Sequence, residues 1–437
     1  MNTSSSIILV LYTTLYRKGG AQFTRVAQTM THELSALGPV RMEAVESKRE
    51  VRAVLAEIRK KSQQIFGFHF IGHSGMYGPM FGTTDFPEQF SPFEWQHLDI
   101  PFAENGEAFF HCCRSARWFA PFFARTFKVP TSGYHWYTAF STRKDRYKLD
   151  WPEGKQDDPL YAFGCPGKKS HGLLASVKKH TGLQQAEALK QFLPAEKDGD
   201  SSYDQVAELY DAVFQDIKVR QDEWNWLNQH IPWREDLRVI DIGCGNGALL
   251  REMSPRIGQG TGLDASAGIL DRARQFNADR PNLNFVQING PQLPLADHSV
   301  DLAISMLSFR YLDWDPLMHE LKRVLKPGGK FLVVDMVTKP ASWREFPQFI
   351  AGKLRQQKLK RQHPAFAKAL HSLVRHPDWK TMLQYNPIRA EHEMKWFLES
   401  RFPGQKTALI NVGWHARILA FDSGPIEEML TIPISYP

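Results

Sequence analysis

Residues 239–247 read VIDIGCGNG, a hydrophobic run that breaks into alternating glycines, and ALLREM follows at 248–253. The apolar run predicts a buried strand, and ALLREM predicts a helix. Between them, Gly243, Gly245 and Gly247 predict a turn whose backbone takes positive φ or comes close to a ligand, with free N–H groups supplied by the helix behind it. Glycines alone decide little. Asp264 sharpens the reading, because it closes the next strand-like segment, GTGLD, where a carboxylate can accept both hydroxyls of a ribose. NLNFVQING, VDLAISML and GGKFLVVDM continue the alternation of strand-like and helical segments, which predicts an α/β domain. A nicotinamide site would instead read G-x-G-x-x-G.

From residue 203 to about 337 this series resembles the class I S-adenosylmethionine-dependent methyltransferases, particularly those of small-molecule type. The resemblance implies a Rossmann-like seven-stranded fold, S-adenosylmethionine as cofactor, and methyl transfer to a small-molecule or peptide acceptor. It implies that Asp241, Gly243, Cys244, Gly245 and Gly247 cradle the methionine part and that Asp264 holds the ribose. Ala265, Asn289, Gly290 and Ser305 complete the implied cofactor contacts. Asn289 stands where the family has aspartate, and its amide oxygen can still accept from the adenine amino group. Lys326, Pro327, Gly328 and Gly329 form the expected turn into the fifth strand. Ser305, Met306, Leu307 and Ser308 occupy the place of the N-P-P-Y motif of amino-methylating enzymes, which argues against nucleic-acid bases and glutamine as targets.

The rest of the composition sets bounds. A chain of 437 residues favours two or three domains, and 42% hydrophobic residues suffice for sizeable cores. Cys112, Cys113, Cys165 and Cys244 form neither a disulfide framework nor a zinc site, so a reducing cytosol is expected. SIILVLYTTLY near the N-terminus is too short to span a bilayer and lacks a preceding positive charge, so it reads as a strand. The net charge of +7 is a modest surplus with no nucleic-acid module beside it.

Residues 6–150 also alternate strand and helix patterns, predicting a mostly parallel sheet. A helix is expected from Gly20 to Leu37 and a long loop from about Met76 to Gly106. GFHFIGHSG ends in His73, and AFFHCCRS ends in Cys112 and Cys113; strand ends on one edge of a parallel sheet lie close together. A cysteine beside a histidine can act as a nucleophile. His73, with Gly75 nearby, and Cys113, followed by Arg114, resemble the histidine-glycine and cysteine motifs of caspase-like cysteine peptidases over about residues 6–140. Ser74 replaces the glycine that follows the family's histidine. Cys112 takes the usual alanine position, which leaves the nucleophile open to a slip of one residue. A further reading, GHSGM as a hydrolase elbow around Ser74, lacks the second glycine.

The expected organisation is a caspase-like α/β sandwich at 1–150, an extension and linker at 151–202, and the methyltransferase domain at 203–437 with a helical cap insertion at about 341–400. The extension holds one helical stretch near Leu183 to Leu193, and Tyr203 and Tyr210 on the next helix read as core or as a lid. KLRQQKLKRQH, 353–363, reads as a solvated helix face, with an anionic acceptor or a membrane surface as alternatives. His371, His376, His392 and His415 lack metal-ligand spacing. The alternative overall reading is a cysteine peptidase whose C-terminal domain binds the cofactor in a regulatory role.

Overall fold

The computed structural model describes residues 6–142, 159–165, 186–194, 213–340, 342–385, 388–413 and 417–432. The chain divides into two compact units, one ending at Lys197 and one spanning Asp198–Ile434. Residues 143–158, 166–185 and 195–212, which take in most of the expected linker together with Tyr203 and Tyr210, and His415 lie outside the described residues. Among the described residues, no helix is long and apolar enough to cross a membrane.

The first unit holds a six-stranded sheet of β1 (Ser6–Tyr12), β2 (Val40–Ala44), β3 (Gln64–Ile71), β4 (Phe102–His111), β5 (Thr131–Gly133) and β6 (Lys190–Phe192), in the order β6-β5-β4-β3-β1-β2. All pairings are parallel except β5 with β6. Ile7 to Leu11 are buried on both faces of β1, which is why this strand reads as a continuous apolar run. In helix α2 (Lys48–Lys60), capped by Ser47, the buried residues Val51, Val54, Leu55 and Ile58 recur at helical spacing. Helix α1 (Gly20–Leu34) and helix α3 (Phe119–Phe127) complete the layers used below.

Three expectations need correction here. The extension's helix near Leu183–Leu193 is, over its described residues 190–192, an edge strand: β5 offers unpaired backbone groups, and an extended partner satisfies them. Helix α1 stops at Leu34, three residues short of the expected end. The expected loop contains two short hairpins and a helix, Pro92–Gln96, closed by a capping box between Ser91 and Glu94 whose carboxylate also holds the buried Lys48 at 2.8 Å. Strand β4 begins within that span, at Phe102.

The second unit holds a seven-stranded sheet of β7 (Arg238–Ile242), β8 (Gln259–Asp264), β9 (Leu283–Gln287), β10 (Val300–Met306), β11 (Leu325–Val337), β12 (Ala408–Val412) and β13 (Arg417–Pro425). Its order is β9-β8-β7-β10-β11-β13-β12, parallel except for the two pairings of β13. The expected turn at Lys326–Gly329 is absorbed into β11, with Gly328 at φ +76°. Helices α4 (Gln221–His230), α5 (Ala248–Met253), α6 (Ala267–Phe276) and α7 (Trp314–Val324) accompany the sheet. Four more fill the segment after β11: α8 (Phe346–Gln362), α9 (Pro364–Arg375), α10 (Pro377–Tyr385) and α11 (Glu391–Arg401).

The stretch holding α8 to α10 is closed at its base, where the chain just after β11 meets the start of α11. Thr338 N–H donates to Arg389 O at 2.9 Å, and Glu391 N–H donates to Thr338 O at 2.9 Å. Arg417, on β13, donates to Glu345 from both terminal nitrogens, at 2.6 and 2.8 Å, and to Glu391 at 3.1 Å. Salt bridges of this kind, sheltered and bidentate, fix geometry more than they add stability.

Candidate functional site

Strand β7 delivers its chain into the glycine turn, and the turn folds back onto the end of β8. Gly243 and Cys244 both donate their N–H to Leu263 O, at 2.7 and 3.0 Å. Gly243, Gly245 and Gly247 all have positive φ, at +77°, +54° and +73°. Two of them are also forbidden a side chain by close neighbours. A Cβ on Gly243 would stand 2.3 Å from Ser308 Cβ, and one on Gly247 would stand 2.7 Å from the Phe285 ring.

Asp264 ends β8 with its carboxylate against this turn. Oδ2 accepts from Gly245 N–H and Oδ1 from Ser266 N–H, each at 3.0 Å, which leaves lone pairs on both oxygens for further donors. Asp241 lies in β7 beside it, completely buried. Its Oδ1 has no hydrogen-bond partner among the described residues, and burial together with the neighbouring Asp264 pushes its carboxyl up to about 8. Burial raises Asp264 as well, opposed by the N–H groups it accepts from. Two sequestered carboxylates in contact with one turn favour a cationic ligand over an anionic one.

The loop after β10 supports the turn from the other side. Leu307 takes φ +62°, and Ser308 Oγ lies 3.0 Å from Ile242 O and 3.1 Å from Gly243 O, donating to one of them at a time. Arg310 N–H donates to the buried Asp335 at 2.7 Å, and its guanidinium pairs with the same carboxylate. Ser305 is completely buried and donates to Ile242 O at 3.0 Å, so its side chain braces β7 where a direct cofactor contact was expected. The Cys244 thiol is likewise buried, its Sγ close to where a Cβ on Gly262 would stand. Ala265, Asn289 and Gly290 are exposed, Gly290 at φ +104°, and Gln287 donates to Ala265 O at 2.9 Å. Asp301 accepts from Arg238 N–H and Lys326 and anchors strands; it takes no part in the turn. His371 and His392 are exposed on the helical insertion, and His376 lies 3.4 Å from Asp378. No metal-ligating cluster is found among the described residues.

Strand ends in the first unit adjoin as expected. Ser74 donates its hydroxyl to Cys113 O, joining the segments after β3 and β4. His73 Nε2 lies 2.8 Å from Lys18 O, and because a carbonyl only accepts, Nε2 carries the proton and Nδ1 is the acceptor. Tyr16 and Phe23 meet the ring edge-on, and burial lowers the imidazole below its ordinary range. Cys113 is half-buried, its Sγ 3.2 Å from Thr138 Oγ1 and 3.3 Å from the Thr138 N–H, which donates to it. Cys112 is sealed in the core, and burial pushes its thiol up to about 12, so the two cysteines are not interchangeable. No hydrogen bond joins His73 to Cys113 among the described residues. Thr138 and the Lys18 carbonyl carried no signal in the sequence, because each reaches its site from a distant segment.

A separate cavity of about 480 Å³, beside Trp226, Lys330 and Gln405, shares no residue with either site.

Comparison with known proteins bears on the second unit. The profile of the family described as Methyltransferase domain matches residues 240–333. The 2-phytyl-1,4-naphtoquinone methyltransferase of Nostoc sp. is 30% identical over 150 residues, covering 30% of this chain and 62% of that protein. The demethylmenaquinone methyltransferase of Staphylococcus aureus is 27% identical over 208 residues, 44% of this chain and 83% of that protein. Among solved structures, an S-adenosylmethionine-dependent methyltransferase from Mesorhizobium loti is 32% identical over 26% of this chain and 54% of its own, with a TM-score of 0.25. The chain thus spans about 62% of the length of the first of these curated relatives. Residues 240–333 thus match the methyltransferase domain family, and the cofactor this supports is S-adenosylmethionine.

Proposed function

We propose that this protein transfers a methyl group from S-adenosylmethionine to a small-molecule acceptor, of the lipophilic ring class named in the quinone methyltransferase relatives. The observation that carries the reading is the buried Asp241 Oδ1, partnerless beside Asp264 under the glycine turn. A ligand that brings an ammonium group and a ribose satisfies both carboxylates. Asp264 accepts from the ribose hydroxyls with the lone pairs its backbone partners leave over, and Asp241 ionises against the cation. Asn289 and Gly290 take the adenine edge, with the Asn289 amide oxygen accepting from its amino group. When bound, the cofactor supplies an electrophilic methyl on a sulfonium, so the chain's part is alignment and exclusion of water. Ser308 and the Arg310–Asp335 pair hold the turn and the following loop in place for that alignment. The test is formation of S-adenosylhomocysteine from S-adenosylmethionine with a demethylated naphthoquinone; no turnover over the protein-free control refutes the acceptor class.

A second reading for the first unit rests on geometry alone. A half-buried thiol held by Thr138, with a neutral imidazole oriented by a backbone carbonyl on the adjacent strand end, suits a thiol hydrolase of caspase-like type with Cys113 as nucleophile. Its test is selective alkylation of Cys113 that slows in His73→Ala.

A further inference from the structure

Helix α8 presents two unlike faces. Its inner side buries Phe349 and sets Gly352 against β12, where a Cβ would meet Val412 O at 3.0 Å. Its outer side, four residues apart each time, leaves Phe346, Ile350 and Leu354 exposed by 57%, 49% and 62%, and Trp343 just before it by 82%. A three-turn aromatic and aliphatic stripe turned to solvent is costly unless something covers it. Lys353, Lys358, Lys360 and Arg361 are exposed along the same helix and make no ion pair among the described residues. The charge pattern around the stripe is lopsided. Residues 342–376 carry eight Lys and Arg against one carboxylate, Glu345, a surplus of seven that equals the formal net charge of the whole chain, +7.

We infer that α8 docks in the plane of an anionic lipid bilayer surface, with Trp343, Phe346, Ile350 and Leu354 entering the acyl boundary and the flanking lysines at the headgroups. Long basic side chains, whose stems can lie along apolar surface, beside an exposed apolar row suit the boundary between headgroups and acyl chains. Its purpose rests on the methyl-transfer reading: a long-chain acceptor dissolved in the bilayer reaches the helical insertion from the surface on which the insertion sits. A spanning segment is not needed for this, and none of the described helices provides one. A soluble acidic protein would meet the charge but leave the aromatic stripe unexplained, so the bilayer is the occupant the two observations share.

The experiment sediments the full chain with vesicles of phosphatidylcholine alone or mixed with phosphatidylglycerol, without cofactor or acceptor. The wild type is expected to partition to the anionic vesicles. Phe346→Ser/Ile350→Ser/Leu354→Ser and Lys353→Gln/Lys358→Gln/Lys360→Gln/Arg361→Gln are each expected to weaken partition about tenfold or more, while binding S-adenosylhomocysteine like the wild type. Should the stripe variant misfold, quenching of wild-type emission by brominated lipid, lost in Trp343→Phe, reads insertion directly. Absence of wild-type partition, absence of quenching, or partition unchanged by the stripe substitutions overturns the inference. So does a stripe variant that alters only self-association in sedimentation velocity, which would make the face an interface between copies. Failure here leaves turnover of the methyl donor untouched, and failure of turnover leaves vesicle binding untouched, so the two readings fall separately.

Discussion

Gly243→Ala tests whether the turn is glycine because of backbone geometry, close packing, or both. At φ +77° a non-glycine residue costs about 1–2 kcal/mol. The new Cβ would stand 2.3 Å from Ser308 Cβ and 2.4 Å from its Oγ, so Ser308 must move and release the carbonyl it donates to, a further cost of about 1 kcal/mol. Together the substitution costs about 2–3 kcal/mol, which as lost affinity is roughly 30- to 150-fold. The assay is calorimetric binding of S-adenosylhomocysteine, with denaturation of the cofactor-free chain alongside to divide the loss between folding and binding. Repeating the substitution in a Ser308→Gly background removes the collision but keeps the φ cost, so it should fall there to about 1–2 kcal/mol. Equal costs in the two backgrounds would refute the packing part; a cost under about 0.5 kcal/mol in both would refute the whole account.

Asp264→Ala should weaken S-adenosylhomocysteine binding by one to two orders of magnitude, since charge-assisted hydrogen bonds contribute about 1.5–3 kcal/mol each; unchanged affinity in calorimetry would remove Asp264 from the site. Asp241 is raised from 3.8 to about 8 by burial and by Asp264, so the folded, ligand-free protein holds a proton that the unfolded chain releases. Stability must therefore drop as pH climbs from about 4 toward 8, and Asp241→Asn, which cannot ionise, should flatten that slope in denaturant titrations. Binding of the ammonium-bearing cofactor should strengthen over the same window in the wild type only; a pH-independent affinity would contradict the pairing. Brief alkylation followed by mass spectrometry should label Cys113 at least about tenfold faster than Cys112, Cys165 and Cys244, which are buried. If Cys113 then reacts equally fast in His73→Ala, the thiol-hydrolase reading is lost.

The glycine turn and its flanking strands were legible because their signals are local. Strand, alternating glycines and helix are consecutive from Val239 to Met253, and Asp264 sits at the end of the very next strand. What the sequence could not disclose is which side chains face the ligand and which face the protein. Ser305 is one residue type with two readings, and only the position of Ile242 O beneath it shows that it braces the sheet. The pair Cys112 and Cys113 illustrates the same limit: the letters make them equivalent, and only the packing of the turn that follows β4 shows that Cys112 is sealed in the core and Cys113 is not. Lys190–Phe192 was misread because an edge strand of three residues has no periodicity of its own and is made by its neighbour. The stripe on α8 escaped notice because Phe349 and Leu359 occupy the opposite side, so apolar residues occur all round and no single amphipathic face stands out from the letters alone.

The clasp at Arg417 has a meaning beyond local order. One guanidinium grips Glu345 near the start of the helical insertion and Glu391 near its end, while Thr338 pairs with the backbone on both sides of Ala390. The polypeptide therefore leaves β11 and comes back to the start of α11 through a single gate, and whatever lies between the posts is a closed detour. Because closure entropy changes only slowly with the length of such a detour, its contents can be lengthened, shortened or exchanged at little expense to the sheet. The insertion is built as a cassette, whose contents can differ while the frame that carries the glycine turn does not.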